Sequence, residues 1–492
     1  VVYPGWASCG TGTAVMDTLT FFNNVLSVTV IFAAFWYSCN DGDSLLLRER
    51  LQDVLQAMLE VEQQHSVGEV RIAVGYGACK DIFVQGSDLM GVMTPPQRTA
   101  HFNRIDSMKQ LKEMYALFYT AGSAAERYVG NKTLFNEILA AAEAVPGSYS
   151  ALGGNAPVMA SRFALEGAKV LLAAKRSSYI MNKVHPSIIV RGDETESDED
   201  IHLIIEYKAG ESWGTYQAPR ANRFIIHSDD NNPVLSTVED FGGQLEAFKP
   251  NLFVVGGLQM MDNFPFPPGV QEERLQAVRD QMTSLSTSSR IHFEMASFTD
   301  TDLLTGLIQH VIPYADSLGM NEQELPNLYN MMKYGNVSLV SDFNPRVAVV
   351  LDQMREIFQQ LRAAPEEGGR RRLTRLHLHT LAYQVIMVWK DSAWTNTLAA
   401  ATKAALTANR HVCGKPEINL DNARMLMDEG FTLSKANGAG RVIFNTQQPV
   451  SCWIEDDGKV EVCIAPVLVC TSVRHTAGGG DNISAAGLVL QV

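Results

Sequence analysis

"HTAGGGDNISAAG", His475 to Gly487, is the stretch on which the reading of this chain turns. Two strand-like runs, "GRVIFN" and "KVEVCIAPVLVC", lead into it, and a new helix should start within it. A simple turn needs one glycine or two. Three before an aspartate leave consecutive backbone amides uncovered. At a strand-to-helix junction those N–H groups point one way and the helix dipole adds positive potential, an arrangement that suits an anion. Asp481 then has two readings. It is the N-cap of the helix, or it is a general base beside an anion hole that steadies a transferring phosphoryl group. Phosphoryl transfer asks a protein mainly for positioning and charge stabilisation, so one base and a ring of amides suffice.

Working outward, strands alternate with helices along most of the chain. Strands are predicted at Val70–Val74, "HLIIEYKAG", "NRFIIHSD", "LFVVGG" and "IHFEM", and helices at Ser44–Gln64, Gln271–Ser284 and Val347–Arg362. That alternation means an α/β protein with a mostly parallel sheet. Between Asp200 and Asp229 the strands come with little helix between them, which predicts a small antiparallel layer, a lid, added to the main sheet. "RGDETESDED" (Arg191–Asp200) and "AAPEEGGRRR" (Ala363–Arg372) read as solvated loops.

The bulk numbers set limits. At 492 residues and 46% apolar, the chain buries a large core and has the length of two or more domains. Its formal charge of −14, from 54 acids against 40 bases, excludes a general nucleic-acid binder. Residues Phe21–Cys39, "FFNNVLSVTVIFAAFWYSC", are apolar, with Val25–Tyr37 the most so. This segment (about 1–40) is read either as a signal peptide or marginal anchor, or as a buried or disordered N-terminal helix. Of the seven cysteines, Cys413, Cys452, Cys463 and Cys470 crowd toward the C-terminus, and no CxxC pair occurs. One disulfide forms there if the compartment is oxidising; otherwise these are buried thiols.

Several side chains stand out beside Asp481. Glu294 is an acid inside an otherwise apolar strand, which favours a functional role. Glu324, with Glu322 close by, reads on its own as a solvated acidic helix face. Asp81 follows a strand and Gly153-Gly154-Asn155 interrupts the chain; each is a turn or a set of short polar groups for a polyhydroxyl ligand. Arg223 is either a surface ion-pair residue or a planar fork for phosphate. Val467 and Val469 read as a buried strand. His377 and His379 alternate on one strand, so they face one way, but without a third ligand zinc is not expected.

"TAGGGD" resembles the C-terminal GxGD motif of the ribokinase-like superfamily. "NEQE", Asn321 to Glu324, is similar to its NxxE motif, and His292-Phe293-Glu294 to the HxE motif of the ADP-dependent sugar kinases. "GSAAERY", "GGNAPV", "HLIIEYKAGESWG", "APRANRFI", "LHLHTL" and "PVLVC" extend the match in order. Together they resemble the animal ADP-dependent glucokinases over about residues 65–492.

That resemblance implies a ribokinase-like α/β fold. A Rossmann-type, mostly parallel central sheet would be flanked by helices, with an inserted β-rich lid built from about 82–120 and 186–230, all within a kinase domain of 41–492. It implies that Asp481 takes the proton of a sugar 6-hydroxyl, which then attacks the β-phosphate of ADP, while amides from Gly478, Gly479 and Gly480 to Asp481 hold the moving charge. Glu294 and Glu324 would organise Mg²⁺, one per subunit, assisted by Asn321 and with Asp481 alongside. Asp81, Glu126, Gly154 and Asn155 would bind glucose, Glu126 favouring the neutral sugar over fructose 6-phosphate. Arg223 would reach the ADP phosphates, and Val467 and Val469 would lie along adenine.

The resemblance further implies small-molecule partners only, with no nucleic acid, membrane contact only through the N-terminal segment, and a monomer. It implies the endoplasmic reticulum or secretory route, otherwise the cytoplasm, and in an oxidising compartment a Cys413–Cys470 disulfide. The sequons at Asn131 and Asn336 would then be open to glycosylation, whereas a glycan at Asn482 would block the site. Three positions depart from the family pattern. Gly77 stands where Asn is common, so a sugar contact is expected to be missing. His475 replaces an arginine, and Gly479 an apolar residue.

Overall fold

The structure, a computed structural model, describes residues 46–194, 199–338 and 342–492. The apolar segment 1–40 and the expected helix cap Ser44 lie outside the described residues. The chain divides into two compact units, Val1–Asp53 and Val54–Val492, and both main sheets belong to the second. A helix covers 46–63.

The large sheet has ten strands. Seven of them are mutually parallel: Arg71–Gly75, Lys169–Ala173, Ile189–Arg191, Leu252–Val255, Arg290–Glu294, Ser317–Asn321 and Arg375–His379. Sequences such as "KVLLA" and "LFVV" are apolar almost throughout because helices cover both faces of a parallel sheet. Three antiparallel strands, Tyr383–Trp389, Val460–Pro466 and Ser451–Glu455, extend one edge. There Cys452 lies opposite Cys463, and the two form a disulfide.

The flanking helices show why they dock. In Val347–Ala363 the buried Val347, Val350, Leu351, Met354, Ile357 and Phe358 recur at helical spacing and join the core that contains Phe253, Phe293 and Leu376. Helix Gly479–Val489 packs against Thr397–Cys413 and Asn155–Leu165. Cys413, closing its helix, is bonded to Cys470. Among the described residues no helix is long and apolar enough to cross a membrane.

A second sheet of five strands runs in the order Ala125–Tyr128, Asn222–His227, Ile201–Tyr207, Cys79–Gln85 and Tyr149–Gly153. Within residues 200–229 the pairing is antiparallel, as the sequence suggests, but the sheet as a whole is mixed, since two of its four pairings are parallel. Two of its strands, Ala125–Tyr128 and Tyr149–Gly153, fall between the stretches 82–120 and 186–230, while Ile189–Arg191 joins the large sheet instead.

Period-two alternation gives the small sheet two distinct faces. Ile82, Val84, Leu203, Ile205, Phe224 and Ile226 pack into a core with Leu111, Met114 and Phe118 of helix Met108–Ala121. The intervening residues, among them Asp81, His202, Ile204, Arg223 and Ile225, point the other way and line a cleft.

Candidate active site

The cleft measures about 380 Å³, within the usual range for a small-molecule site. One wall is that face of the small sheet. The other is the crevice beyond the carboxyl ends of the parallel strands, where open α/β sheets place their ligands. Register brings the side chains of this wall together: Glu294 is paired with Gly319, and Asn321 with His379. Gly319 is needed beside Glu294, because a Cβ there would stand 2.2 Å from Glu294 Oε2.

Gly478, in the left-handed region at φ +68°, is the N-cap of helix Gly479–Val489. The first intrahelical bond is from Asn482 N–H to Gly478 O, at 3.2 Å. The N–H groups of Gly479, Gly480 and Asp481 precede it, and these residues line the cleft. Asp481 therefore sits in the first turn of the helix and not at its cap. Its carboxylate instead accepts a bond from Asn155 Nδ2 at 2.8 Å, and Asn155 Oδ1 accepts from Gln259 Nε2 at 2.6 Å. Burial, then the charge of Glu294, pushes Asp481 up to about 7, against the opposing Asn155 bond. A carboxyl poised there is a competent general base near neutral pH.

Glu294 is buried. Burial alone would raise its pKa, but its bonds outweigh that and hold it at about 2. His292 Nε2 donates to Oε2 at 2.8 Å, Ser484 Oγ donates to Oε1 at 2.8 Å, and His379 Nε2 stands 3.8 Å from Oε1. Glu324 is also buried, at 7% exposure, so it is not part of a solvated helix face. Asn321 holds it reciprocally. Asn321 N–H and Nδ2 donate to its two oxygens at 2.9 and 2.7 Å, while Asn321 Oδ1 accepts from the amides of Gln323 and Glu324. Burial, then the neighbouring Glu294 and Glu322 carboxylates, pushes Glu324 up to about 8.

The charge of Glu294 raises the pKa of both Asp481 and Glu324 in a shared cleft, which is the situation a hard dication relieves. Their oxygens are the donors that Mg²⁺ prefers, and an ionised carboxylate with two hydrogen bonds keeps lone pairs free. The residues fit the ion. The tightest groups of metal-type donors among the described residues lie elsewhere, at Cys79–Asp81–His202 and His202–His227–Asp229. There His202 faces Glu126 Oε1 through Nδ1 at 3.1 Å and Asp229 Oδ2 through Nε2 at 2.9 Å. Both ring nitrogens are engaged as donors, so neither offers a lone pair to a metal.

The small-sheet wall carries Asp81 and Glu126 at one end. Burial pushes Asp81 up to about 6, whereas the bond from His202 outweighs burial at Glu126 and holds it below the usual range. Gly153 makes room for Asp81, since a Cβ there would lie 1.9 Å from Oδ1. Gly154, at φ +86°, caps helix Asn155–Leu165, and a Cβ there would strike Gly77 O at 2.1 Å. A Cβ at Gly77 would in turn stand 3.0 Å from Gly257 Cα, and Gly77 does not line the cleft, so it stands where backbones meet.

Arg223 lines the middle of the cleft. It donates from Nη1 to Asn222 Oδ1 at 3.2 Å, and its buried Nε has no partner among the described residues. At the far end Val467 and Val469 line an apolar slot with Ala408, Val412 and Val473.

The sequence-expected residues thus share one cleft. Gln259, Arg220, Glu322 and His379 line it too and were not singled out as site residues. His379 had a trace in the sequence, its alternation with His377. The two differ in role: His377 is buried against Gln384, while His379 faces the acids. Of the sequons, Asn131 is exposed but caps helix Lys132–Glu143, and Asn336 is exposed. Asn482 is buried and bonded to Arg162.

Known proteins resemble this chain along most of its length. The family model described as the ADP-specific phosphofructokinase/glucokinase conserved region matches residues 70–490. An ADP-dependent glucokinase from Bos taurus is 33% identical over 423 residues, covering 85% of this chain and 84% of that protein. A probable ADP-dependent glucokinase from Caenorhabditis elegans is 26% identical, with 97% of each covered. A solved ADP-dependent kinase in complex with fructose-6-phosphate and ADPβS superposes with a TM-score of 0.65. Its identity is 18%, with 89% of this chain and 97% of that one covered, so it speaks for the fold alone.

Proposed function

Because the chain belongs to the ADP-specific phosphofructokinase/glucokinase family, we propose that it transfers the β-phosphoryl group of ADP to the 6-hydroxyl of D-glucose, giving glucose 6-phosphate and AMP. The observation that carries this reading is Asp481. It sits in the first turn of a glycine-capped helix, is bonded to Asn155, and has a pKa raised to about 7.

In this reading Asp481 accepts the proton of the sugar hydroxyl as the oxygen attacks phosphorus. The amides of Gly479, Gly480 and Asp481 stabilise charge on the transferring group. Asp81, Glu126, Asn155 and the backbone at Gly154 hold the sugar. The two carboxyl groups at that end suit the hydroxyls of neutral glucose better than a second phosphate. Arg223, a planar cation lining the cleft, serves the diphosphate, and the slot at Val467 and Val469 takes adenine. Glu294 and Glu324, with Asp481 alongside, hold one Mg²⁺, whose charge offsets that of the diphosphate. Closure of the small sheet over the sugar excludes water, which competes as acceptor.

The disulfides Cys413–Cys470 and Cys452–Cys463 support an oxidising compartment, and so a secretory-route location. A monomer is the proposed state. The test is a coupled assay of glucose 6-phosphate with ADP or ATP as donor and AMP measured as product. ADP is expected to serve and ATP to fail; turnover with ATP and none with ADP overturns the reading.

A further inference from the structure

The proposed site is split between two bodies of structure. Asp81, Glu126 and Arg223 ride on the small sheet, whereas Asp481 and the glycine amides ride on a helix packed behind the large sheet. Transfer needs the reacting atoms held to a fraction of an ångström, so something must fix one half against the other.

Glu206 stands at that junction. It lies on the small-sheet strand Ile201–Tyr207, directly opposite Arg223 in the antiparallel register, and on the cleft-facing side of the alternation. It is buried at 6% exposure. Its closest partner, Thr476, is not on its own sheet. Oε1 accepts from the Thr476 hydroxyl and from Thr476 N–H at 3.3 Å, and Oε2 is 3.5 Å from Gln85 Nε2. Thr476 is two residues before Gly478, at the root of the glycine loop. A carboxylate taking both donors of one threonine fixes that residue's position and orientation, and bonds to a charged acceptor are about twice as strong as neutral ones.

We infer that Glu206 is a positioning residue that clasps Thr476, so that the small sheet sets the placement of the glycine amides and of Asp481. This rests on the kinase reading, and two readouts keep the two apart. Kinetically, Glu206→Ala is expected to lower kcat about 10- to 100-fold, the scale of an ångström-sized misplacement, with KM for glucose little changed. Glu206→Gln, which keeps an acceptor, recovers most of the loss. Thr476→Val lowers kcat less, and the double variant Glu206→Ala/Thr476→Val is no worse than Glu206→Ala alone.

Structurally, hydrogen exchange of amides 476–481 rises in Glu206→Ala while that of the small-sheet strands stays as in the wild type. This result does not depend on turnover. Single effects that multiply in the double variant, a rise in KM for ADP with kcat intact, or unchanged exchange in the loop would each overturn the clasp. A wild-type enzyme without turnover, but with the exchange change in Glu206→Ala, would overturn the kinase reading and leave the clasp standing.

Discussion

One substitution made at three consecutive glycines has three different expected outcomes. At Gly480 an added Cβ would stand 2.9 Å from His379 Cε1 and 3.2 Å from its Nε2. Carbon atoms pack comfortably at about 3.5–4.0 Å, so the ring or the start of the helix must give by roughly half an ångström or more. The ring has little room. It is 8% exposed, 3.8 Å from Glu294 Oε1, and 6.1 Å between centroids from His377. Overpacking of this kind costs about 1–3 kcal/mol. Displaced onto the acids and the anion loop, that is a loss of about 5- to 150-fold in kcat for Gly480→Ala.

At Gly479 the nearest atom to a new Cβ is His411 Cδ2 at 3.8 Å, an ordinary contact. Gly479→Ala should therefore keep kcat within about threefold. Gly478 has space but a φ of +68°, so alanine there costs about 1–2 kcal/mol of stability. It should lower Tm while the folded enzyme still turns over. Steady-state kcat and KM for both substrates, measured with Tm on the same preparations, separate the three. Wild-type turnover in Gly480→Ala, or equal damage from Gly479→Ala, would refute the reasoning from His379.

Asp481 must be ionised to act and is pushed up to about 7, so turnover is expected to rise with pH through about 7. The Asn155 bond favours the ionised form, hence Asn155→Ala moves this acid limb to higher pH, and an unmoved limb contradicts the assignment. Glu324 is raised to about 8, chiefly by burial, so the stability it contributes is complete below the usual carboxylate range and is lost as pH rises through about 8. In chelator, the Tm of the wild type should fall more steeply with rising pH than that of Glu324→Gln, and Mg²⁺ should restore the wild type alone. Breaking the Cys413–Cys470 disulfide, which spans 57 residues, should lower stability by about 4 kcal/mol from loop entropy, read as a lower Tm in Cys413→Ser/Cys470→Ser. Non-reducing peptide maps should show both this pair and Cys452–Cys463.

The parallel core was legible because its strands are continuous apolar runs between amphipathic helices, a local pattern. The glycines and Asp481 were legible for a similar reason: a run of glycines has few uses. The small sheet was read only in part. Ala125–Tyr128 and Tyr149–Gly153 are short and carry mixed residues, so no period shows, and their pairing joins segments far apart in the chain. Cys452–Cys463 depends on a cross-strand register that spacing alone does not give.

Glu324 read as surface because its burial comes from tertiary packing, although its partner Asn321 is only three residues away. At Gly77 the sequence does not tell that the backbones of Gly257 and Gly154 lie against it. Gln259 and Glu206 carried no signal, since each acts through a partner more than a hundred residues away in the sequence.

The central claim is that Asp481 removes the sugar proton in a site that otherwise only binds and orients. Asp481→Asn keeps the size of the side chain and removes both the base and its charge. Binding of glucose and of ADP, measured by calorimetry, should stay within a few-fold of the wild type, while formation of AMP and glucose 6-phosphate should drop by about 10²–10⁴ or more. Turnover within tenfold of the wild type at pH 8 would contradict the account.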